Sequence, residues 1–467
     1  IMNYMNLFRR FYLVLLILLS AISCSGPEEL DLANIDNGVI NFYDDIDETD
    51  DNVDKNLFPT MRISTNFQEI LDEPKINADL LVLEGNSEKN YKIGIEIRGS
   101  SSKMFPKKSY GIETKSSDWS EDLDVDLGGF PEEEDWILNG PYSDKSLIRN
   151  KLTFDLSNSI GYKASNTKFY NLFINEQSKG LYVLMEKIKR DKNRVDLPAI
   201  DANSIQGGYI IKIDKATGDG SCERCYDRSF SFRSNYNTLG EVSNDSEVYF
   251  IYHYPKPDEI TEDQKDYIQS VMDTFETILV SNDDSLNEII DIDSFVDFFI
   301  MNELTKNIDG YRLSTYLNKD YDGKLRMGPI WDFNLAFGNA DYCDGGNPEG
   351  WLFKFNNICG GDIWQVPFWW NNLMEKEIFK STLKNRWESL RLSSLSNSSI
   401  MNKIDSYTEY LETNSIINQN FYVWPILGQY VWPNYFVGST HIEEIDFMKN
   451  WIDNRLDWID NQISSLD

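Results

Sequence analysis

The sequence predicts an α+β fold in which a strand-rich N-terminal lobe is followed by a larger, mostly helical lobe. Residues 57–190 contain short runs in which apolar and polar residues alternate, separated by Asn, Gly, Ser and Pro. After residue 190, long segments have apolar residues at helical spacing. Hydrophobic residues make up 41% of the 467 residues, which is enough for a packed core.

The predicted N-terminal lobe begins with four strands. They are the alternating runs MRISTN, INADLLVLEG, YKIGIEIRG and KKSYGIET. A helix is predicted over residues 144–160, with Asp144 as its cap and Gly161 as its end. A hairpin then follows over residues 168–188, with a polar turn at residues 175–180.

The predicted C-terminal lobe, residues 191–467, combines strands with helices. GGYIIKIDK and SEVYFIYHY have the composition of strands. Helical periodicity is present in ITEDQKDYIQSVMDTFETIL, DIDSFVDFFIMNELTKNI and IEEIDFMKNWIDNRLDWIDNQI. Thr261 is predicted to begin the first of these helices, with Glu262 and Asp263 in its first turn.

Residues 1–24 are predicted to be a lipoprotein signal peptide. Arg9 and Arg10 precede a short apolar run, and small residues then lead to Cys24, the predicted lipidation site. A plain secretory leader and an uncleaved anchor are the alternatives, and all three export the chain. Residues 25–56 hold eleven acidic residues and are predicted to be a flexible tether. We expect the N-terminal lipid to hold the protein at a bacterial membrane, either the outer membrane or the cell surface.

Charge and composition narrow the possible chemistry. The formal net charge is −33, so the chain has no cationic excess to bind phosphate backbones, and we expect no nucleic-acid partner. Because His253 and His441 are the only histidines, a Ser-His-Asp or Cys-His mechanism is disfavoured. Asp, Asn and Glu are abundant and suit hard cations such as Mg²⁺, Mn²⁺ or Ca²⁺.

Four cysteines remain after Cys24. In an exported chain, their spacing favours two local disulfides, Cys222–Cys225 and Cys343–Cys359. A zinc site formed by all four is the alternative.

One segment has the character of a phosphate-binding loop. Arg98 is joined through GSSSKMFP to Lys107 and Lys108, so three cations and several backbone N–H groups could face an anion. An ordinary hairpin with solvated lysines is the alternative.

Two aspartates are candidates for proton and metal chemistry. Asp309 follows an apolar helix, where a carboxylate can face a cleft and accept a proton. An Asn-Asp-Gly turn at the helix end is the alternative. Asp332 lies between Trp331 and Phe333, with the oxygen ligand Asn334 two positions later, so a divalent cation would balance its charge. A buried aspartate held by backbone N–H groups is the alternative.

Taken together and in order, six segments resemble the spore-coat CotH kinase family. The resemblance implies an atypical protein-kinase-like, two-lobed fold that binds ATP between the lobes. It also implies transfer of phosphate from ATP, with Mg or Mn, to Ser or Thr of surface or secreted proteins. The leader resembles that of lipoprotein members from Bacteroidetes. The six segments are IEIRGSSSKMFPKKSYGIE, DWILNGPYSDKSLIRNKL, NLFINEQSKGLYVLMEKI, GGYIIKIDK, NELTKNIDGYRLSTYLNKD and GKLRMGPIWDFNLAFGNADY.

The resemblance assigns roles to individual residues. Asp309 would orient the acceptor hydroxyl, and Asp332 would hold the metal, with Asn334 beside it. Lys108, or alternatively Lys107, would bind the ATP phosphates.

Further roles concern the surroundings of the nucleotide. Arg98 would support the phosphate-binding lysine, and residues from Glu186 to Ile188 would form the hinge beside adenine. Ser314 takes the position at which other kinase-like sites have a metal-binding Asn.

A surface binding or adhesion protein that has lost transfer activity is the second hypothesis. Tryptophans in the C-terminal part suit stacking on sugars, although at helical spacing such residues commonly belong to a core. They are Trp364, Trp369, Trp370, Trp424 and Trp432.

Overall fold

The first seven strands close into a barrel. The computed structural model describes residues 58–281, 285–321 and 323–466. The strand order is β1-β2-β3-β4-β5-β7-β6, and β1 completes the barrel by pairing in parallel with β6. The strands are β1 (Thr60–Ser64), β2 (Ile76–Glu84), β3 (Ser87–Arg98), β4 (Ser109–Lys115), β5 (Asp135–Asn139), β6 (Thr167–Ile174) and β7 (Gln177–Glu186).

Side chains of the barrel strands alternate between two cores. On β5, Trp136 and Leu138 belong to the core inside the barrel, whereas Ile137 belongs to a larger core outside it. On β7, Leu184 faces inward and Met185 faces outward in the same way. Because both faces are covered, these strands are nearly continuous apolar runs.

The helix α1 (Arg149–Ser159) packs in the outer core. The prediction that it begins at Asp144 is wrong, because Ile148 is the N-cap and residues 144–148 form turns. Asp144 nevertheless satisfies a donor of the first turn, since its Oδ2 accepts a hydrogen bond from the Arg149 N–H at 2.9 Å. The helix ends before Gly161, which has a φ of +83°, as the sequence predicted.

A second sheet has the strand order β12-β11-β8-β10-β9. Strand β11 pairs antiparallel with β8, and Thr315 lies opposite Ile213. This register makes Ser314 and Asp214 neighbours at one end of the sheet. The strands are β8 (Tyr209–Ile213), β9 (Ser231–Arg233), β10 (Tyr249–Tyr254), β11 (Thr315–Lys319) and β12 (Leu325–Met327).

Helices pack around the second sheet and form most of the larger core. Thr261 caps α2 in a capping box with Gln264, as its position in the sequence predicted. The helices are α2 (Glu262–Val280), α3 (Leu286–Ile289), α4 (Ile292–Thr305), α5 (Phe355–Ile358), α6 (Trp369–Leu373), α7 (Glu377–Arg391), α8 (Asn397–Thr413), α9 (Ile416–Val423) and α10 (His441–Ser464).

The mixed α+β class is confirmed, but the sequence analysis missed several elements. It did not predict that the first sheet closes, and it did not identify β5 or β11. The first four residues of β5 are all buried, so the strand lacks the alternation that reveals a half-exposed strand. The lobe boundary near residue 190 stays a prediction.

Both predicted cysteine pairs are at disulfide distance. The Cα atoms of Cys222 and Cys225 are 5.0 Å apart, and those of Cys343 and Cys359 are 5.6 Å apart. The zinc alternative is therefore not supported.

Cys24, the predicted signal peptide and the predicted tether lie outside the described residues. Within the described part of the chain, no helix combines the length and the apolar character that crossing a bilayer requires.

Candidate functional site

Asp332 lies where three adjoining cavities meet between the barrel and the second sheet. The largest of these three, referred to below as the largest cavity of the site, has a volume of about 410 Å³ and is also lined by Asp309 and Asn334. The second, of about 320 Å³, is also lined by Arg98 and Lys212. The third, of about 70 Å³, connects Asp332 with residues of the barrel wall. A ligand spanning the two large cavities would pass over the Asp332 carboxyl group.

The loop after β12 is held in place by two asparagines. Asp332 has a φ of +63°, a conformation that non-glycine residues adopt only when their surroundings enforce it. Its carbonyl oxygen accepts a hydrogen bond from Nδ2 of Asn307, which follows α4, at 3.0 Å. The N–H of Phe333 donates to Oδ1 of Asn150 on α1 at 2.7 Å. The loop therefore joins elements from both parts of the chain.

The pKa of Asp332 is raised to about 7. Its side chain is exposed to the cavities, but protein surrounds it closely, and loss of bulk solvation is the largest cause. The negative charges of Asp309 and Asp214 raise the pKa further. Arg98 and Lys215 act in the opposite direction but do not balance them. A cation beside this carboxyl group would relieve the repulsion.

Asp309 is held on one side only. Its Oδ1 accepts hydrogen bonds from Nη2 of Arg312 at 2.6 Å and from the hydroxyl of Tyr342 at 3.2 Å. The Arg312 side chain is buried and also donates from Nη1 to Oδ1 of Asp362 at 3.1 Å. Among the described residues, none donates a hydrogen bond to Oδ2 of Asp309. That oxygen is available to a ligand in the largest cavity.

Two cations that the sequence analysis did not select lie near Asp332. Nζ of Lys212, on β8, is 3.7 Å from Oδ2 of Asp214 and 3.8 Å from Asp219. Burial acts to lower the pKa of Lys212, but these carboxylates outweigh it and raise the pKa. Lys215 lines the largest cavity and lies over the Trp364 ring. Lys212 and Asp214 both lie in GGYIIKIDK, one of the segments that carry the family resemblance. Their alternation along that predicted strand was the signal that could have identified them as site residues.

Arg98, which the sequence analysis selected, lies at the second and third cavities. It lines the second and third cavities together with Asp332, and its guanidinium group is 5.7 Å from the centre of the Trp331 ring. Burial lowers its pKa. The loop from Gly99 to Ser102 lines the largest cavity, as the predicted phosphate-binding loop requires.

Lys107 and Lys108 are not brought to Asp332. Lys107 is buried, and its Nζ donates to Oδ1 of Asn420 on α9 at 2.7 Å. Lys108 turns back so that its Nζ donates to the carbonyl oxygen of Lys103 at 2.5 Å. Neither lysine lines the cavities described above. Both precede β4, which begins at Ser109, so strand alternation does not direct them toward the site.

Of the predicted hinge residues, only Lys187 lines the second cavity, and Glu186 and Ile188 flank it. Glu186 is buried, and its Oε2 accepts a hydrogen bond from the Asn166 N–H at 2.8 Å. The carbonyl oxygen of Ile188 is hydrogen-bonded to Nε2 of His253 at 3.0 Å.

Ser314 and Asn334 are brought beside Asp332 as expected. Ser314 lines both large cavities, and Asn334 lines the largest.

A second carboxylate group lies on the barrel, and one of its members, Asp135, lines the second cavity. Glu133, Glu134 and Asp135 have carboxylate oxygens within 4.8 Å of one another. Lys189 lies among them, with Nζ 2.6 Å from Glu133 and 3.2 Å from Asp135, and it also pairs with Glu134. Lys187 also pairs with Asp135 and Arg194 with Glu133, so three cations balance the three carboxylates and we do not assign a metal to this group.

The tryptophans proposed for sugar stacking separate into two sets. Trp369 and Trp370 are buried in the core, and Nε1 of Trp424 donates to the carbonyl oxygen of Lys179 at 2.9 Å. Trp364 and Trp432 line the largest cavity and are accessible. The core interpretation therefore holds for Trp369 and Trp370, whereas Trp424 is half-buried.

Comparison with known proteins points to one family. The sequence model described as CotH kinase protein matches residues 95–459, which is most of the chain. A curated relative is the inner spore coat protein H of Bacillus subtilis (strain 168), which is 22% identical over 272 residues. This match covers 58% of the present chain and 65% of the relative, so the chain spans just under two thirds of that protein.

Proposed function

Because this chain belongs to the CotH kinase family, we propose that it transfers phosphate from ATP to Ser or Thr hydroxyls of surface or secreted proteins. One observation carries the proposal: Asp309 and Asp332 line one cavity, and Arg98 and Lys212 line the cavity that adjoins it at Asp332. Phosphoryl transfer requires cations around the phosphates and a carboxylate at the acceptor, and this arrangement offers both.

The second cavity suits the nucleotide. Its apolar lining includes Ile112, Ile137 and Trp331, which offer a flat space for adenine. Arg98 and Lys212 lie on the same cavity and would face the phosphates. In this proposal the barrel and the second sheet correspond to the two lobes of a kinase-like fold, with Lys187 at the hinge.

The oxygen donors near Asp332 fit a divalent cation of the kind the family name implies. Asp332 offers a carboxylate whose pKa is raised first by loss of solvation and then by the charges of Asp309 and Asp214. Further oxygens on the same cavities belong to Asp214, Asn334 and Ser314. Asp332 and Asp214 would hold Mg²⁺ or Mn²⁺, which supplies charge neutralisation to the phosphates when bound. Asp214 would thus be a second negatively charged ligand beside Asp332, whereas the side chain of Asn334 is neutral.

Asp309 would bind the hydroxyl group of the acceptor. Oδ2 of Asp309 would accept the hydrogen bond of a Ser or Thr hydroxyl in the largest cavity. As the hydroxyl oxygen bonds to the γ-phosphorus and the bond to the ADP oxygen breaks, the hydroxyl proton passes to Asp309. Arg312 and Tyr342 fix Oδ1, so the carboxylate keeps its orientation during this transfer.

We also propose that the protein works outside the cytoplasm, held at the membrane by a lipid on Cys24. The two disulfides support an oxidising compartment.

Transfer of label from γ-labelled ATP tests the proposal. With Mg²⁺ or Mn²⁺, we expect the wild type to label itself or a protein acceptor, and Asp332→Asn or Asp309→Asn to reduce labelling at least 100-fold. Asp446→Asn, an exposed position on α10, is the matched control and should keep full activity. Absence of labelling, or equal labelling by the wild type and Asp332→Asn, contradicts the proposal.

A nucleotide-independent binding protein is the second candidate. The observation in its favour is that Lys107 and Lys108 lie outside the cavity while Trp364 and Trp432 border it. Glycan binding that survives loss of both Asp309 and Asp332 would support this candidate. Thermal stabilisation by ATP with Mg²⁺ that disappears in Asp332→Asn would contradict it.

A further inference from the structure

A groove leads from the largest cavity of the site toward the edge of the second sheet. Trp364 lines both the largest cavity of the site and a neighbouring cavity of about 250 Å³. A further cavity, of about 640 Å³, lies beside α2. It shares three lining residues with the 250 Å³ cavity, namely Tyr226, Arg233 and Tyr249. We call the 250 Å³ and 640 Å³ cavities together the lateral groove. The lateral groove therefore adjoins the cavity that contains Asp309 at their shared residue Trp364.

The floor of the lateral groove is tied to the residues that hold Asp309. Nη1 of Arg312 donates to the carbonyl oxygen of Trp364 at 3.3 Å, and Nε1 of Trp364 donates to the hydroxyl oxygen of Tyr226 at 3.2 Å. The Tyr226 hydroxyl donates to the carbonyl oxygen of Asp214 at 2.7 Å. The Tyr226 ring stacks on that of Tyr249, with centroids 4.1 Å apart. A ligand lying on this floor would therefore have a fixed position relative to Asp309.

One wall of the groove is a strand edge at which Arg233 has unpaired backbone groups. On either side of it, the Ser231 N–H donates to the carbonyl oxygen of Asp227, and the carbonyl oxygen of Asn235 accepts from the Ser243 N–H. Strand β9 is the last strand of its sheet and has β10 on one side only. The Ser234 N–H donates to Val248 at 3.0 Å, and Phe230 accepts from the Tyr252 N–H at 3.0 Å, so even-numbered residues pair with β10. By antiparallel alternation, the N–H and C=O of Arg233 point away from β10. Within the described residues, neither group has another hydrogen-bond partner.

Such an edge matches the backbone of a polypeptide. An extended chain offers N–H and C=O groups at the same spacing and adds to a sheet as a further strand. The groove lining mixes both charges, since Arg224 and Arg233 lie with Asp245 and Glu247, so net charge does not dominate selection. A glycan lacks the regular backbone donors and acceptors that would pair with Arg233.

We propose that the acceptor protein docks in the lateral groove as an extended segment paired with β9 at Arg233, with its Ser or Thr at Asp309. The inference rests on the proposed function and specifies how the acceptor is held. Recognition then depends on backbone hydrogen bonds remote from the phosphorylated residue, so a long peptide binds better than a short one.

A length comparison tests the docking. Random 15-residue peptides with a central Ser or Thr are screened for labelling, and those labelled are shortened to seven residues. We expect shortening to raise the KM for the peptide about ten-fold, which is the effect of losing one or two hydrogen bonds, while kcat stays constant. Equal KM values for both lengths would overturn the proposal.

Variants at Arg233 separate the backbone from the side chain. Arg233→Pro removes the outward N–H without touching a bond to β10, and edge strands tolerate proline. It should raise the KM of the 15-residue peptide about ten-fold and leave that of the short peptide unchanged. The matched control Arg233→Ala removes the side chain but keeps the N–H, so it should raise the KM of the 15-residue peptide clearly less than the proline variant does. If the proline variant behaves as the alanine control does, backbone pairing is wrong.

Peptides methylated on single backbone nitrogens provide a measurement that needs no variant. We expect methylation to raise the KM at alternate positions on one side of the acceptor residue, and no sensitive position would overturn the proposal. The proposed function is judged separately, by labelling that disappears in Asp332→Asn. Labelling of the protein itself or of glycans without labelling of any peptide keeps phosphate transfer and rejects polypeptide docking.

Discussion

Oδ1 of Asp309 lies 2.6 Å from Nη2 of Arg312, and the same guanidinium group is 3.1 Å from Oδ1 of Asp362. The Arg312 side chain is only 2% exposed, so one buried cation holds two carboxylates beside the largest cavity of the site. Asp309 is thereby oriented by a residue that need not touch the substrate. Arg312 is a positioning residue in the proposed reaction.

Replacing Arg312 should therefore affect both stability and transfer. Arg312→Leu leaves two partly buried carboxylates without their cation, and we expect a loss of about 3 kcal/mol in the free energy of unfolding. We also expect kcat to fall about 100-fold while the KM for ATP changes little, because the proposed nucleotide site is the other cavity. Urea unfolding and label transfer measure the two effects. Arg312→Lys, which keeps the charge, should recover part of the stability; a KM effect without a kcat effect would contradict the positioning role.

If the protein binds ATP as proposed, the positions of the amines favour Lys212 over Lys108 as the phosphate ligand. Lys212 lines the second cavity with Arg98, whereas the amines of Lys107 and Lys108 bind elsewhere. Lys212→Met should raise the KM for ATP at least ten-fold, as expected for losing a charge-assisted hydrogen bond. Lys108→Met is the matched control and should change it less than two-fold. The reverse order of effects would restore the assignment made from the sequence.

Glu276 should make stability depend on pH. It is buried, accepts hydrogen bonds from Ser234 at 2.8 Å and from Trp369 at 2.9 Å, and burial raises its pKa to about 7. The unfolded chain loses this proton near pH 4.5, so the folded state is progressively disfavoured as the pH rises from 4.5 to 7.

Glu276→Gln should remove that dependence. The free energy of unfolding of the wild type should fall by about 2 kcal/mol from pH 5 to pH 8 because of Glu276, and that of the variant should not. The advantage of the variant over the wild type should therefore grow by that amount over this range. Chemical denaturation at both pH values measures this gain. Glu259→Gln, at an exposed position, should show no such difference. A gain for Glu276→Gln that is equal at the two pH values would rule out titration of Glu276 as its cause.

The disulfide between Cys343 and Cys359 should matter for the site as well as for stability. Tyr342 precedes the first cysteine and Asp362 follows the second, and these residues contact Asp309 and Arg312 respectively. Replacing both cysteines by serine should lower the free energy of unfolding by about 3 kcal/mol, given the 16-residue separation, and should also lower kcat. Replacing Cys222 and Cys225, which are three residues apart, is the matched control with a smaller effect. Equal losses of stability for the two pairs would contradict the role of loop length.

Parts of the site could be found from the sequence because they depend on local patterns. Asp309 and Asp332 each follow a recognisable segment, and the structure places both on one cavity. The family resemblance assigned phosphate binding to Lys108, with Lys107 as the alternative. Strand β4 begins one residue after Lys108, and a turn directs the amine of that lysine to Lys103. Alternation cannot predict a side chain that precedes the strand.

The sequence by itself determined the strands with alternating residues, the capped helix at Thr261, the cysteine pairs and the mixed α+β class. These features depend on contacts between residues close together in the chain, whose spacing the sequence displays directly. Only the tertiary structure decided that the first sheet closes and that Lys212 and Asp214 meet Asp332. Strand pairing between distant segments creates that meeting, because the register of β8 with β11 sets which side chains share a cavity.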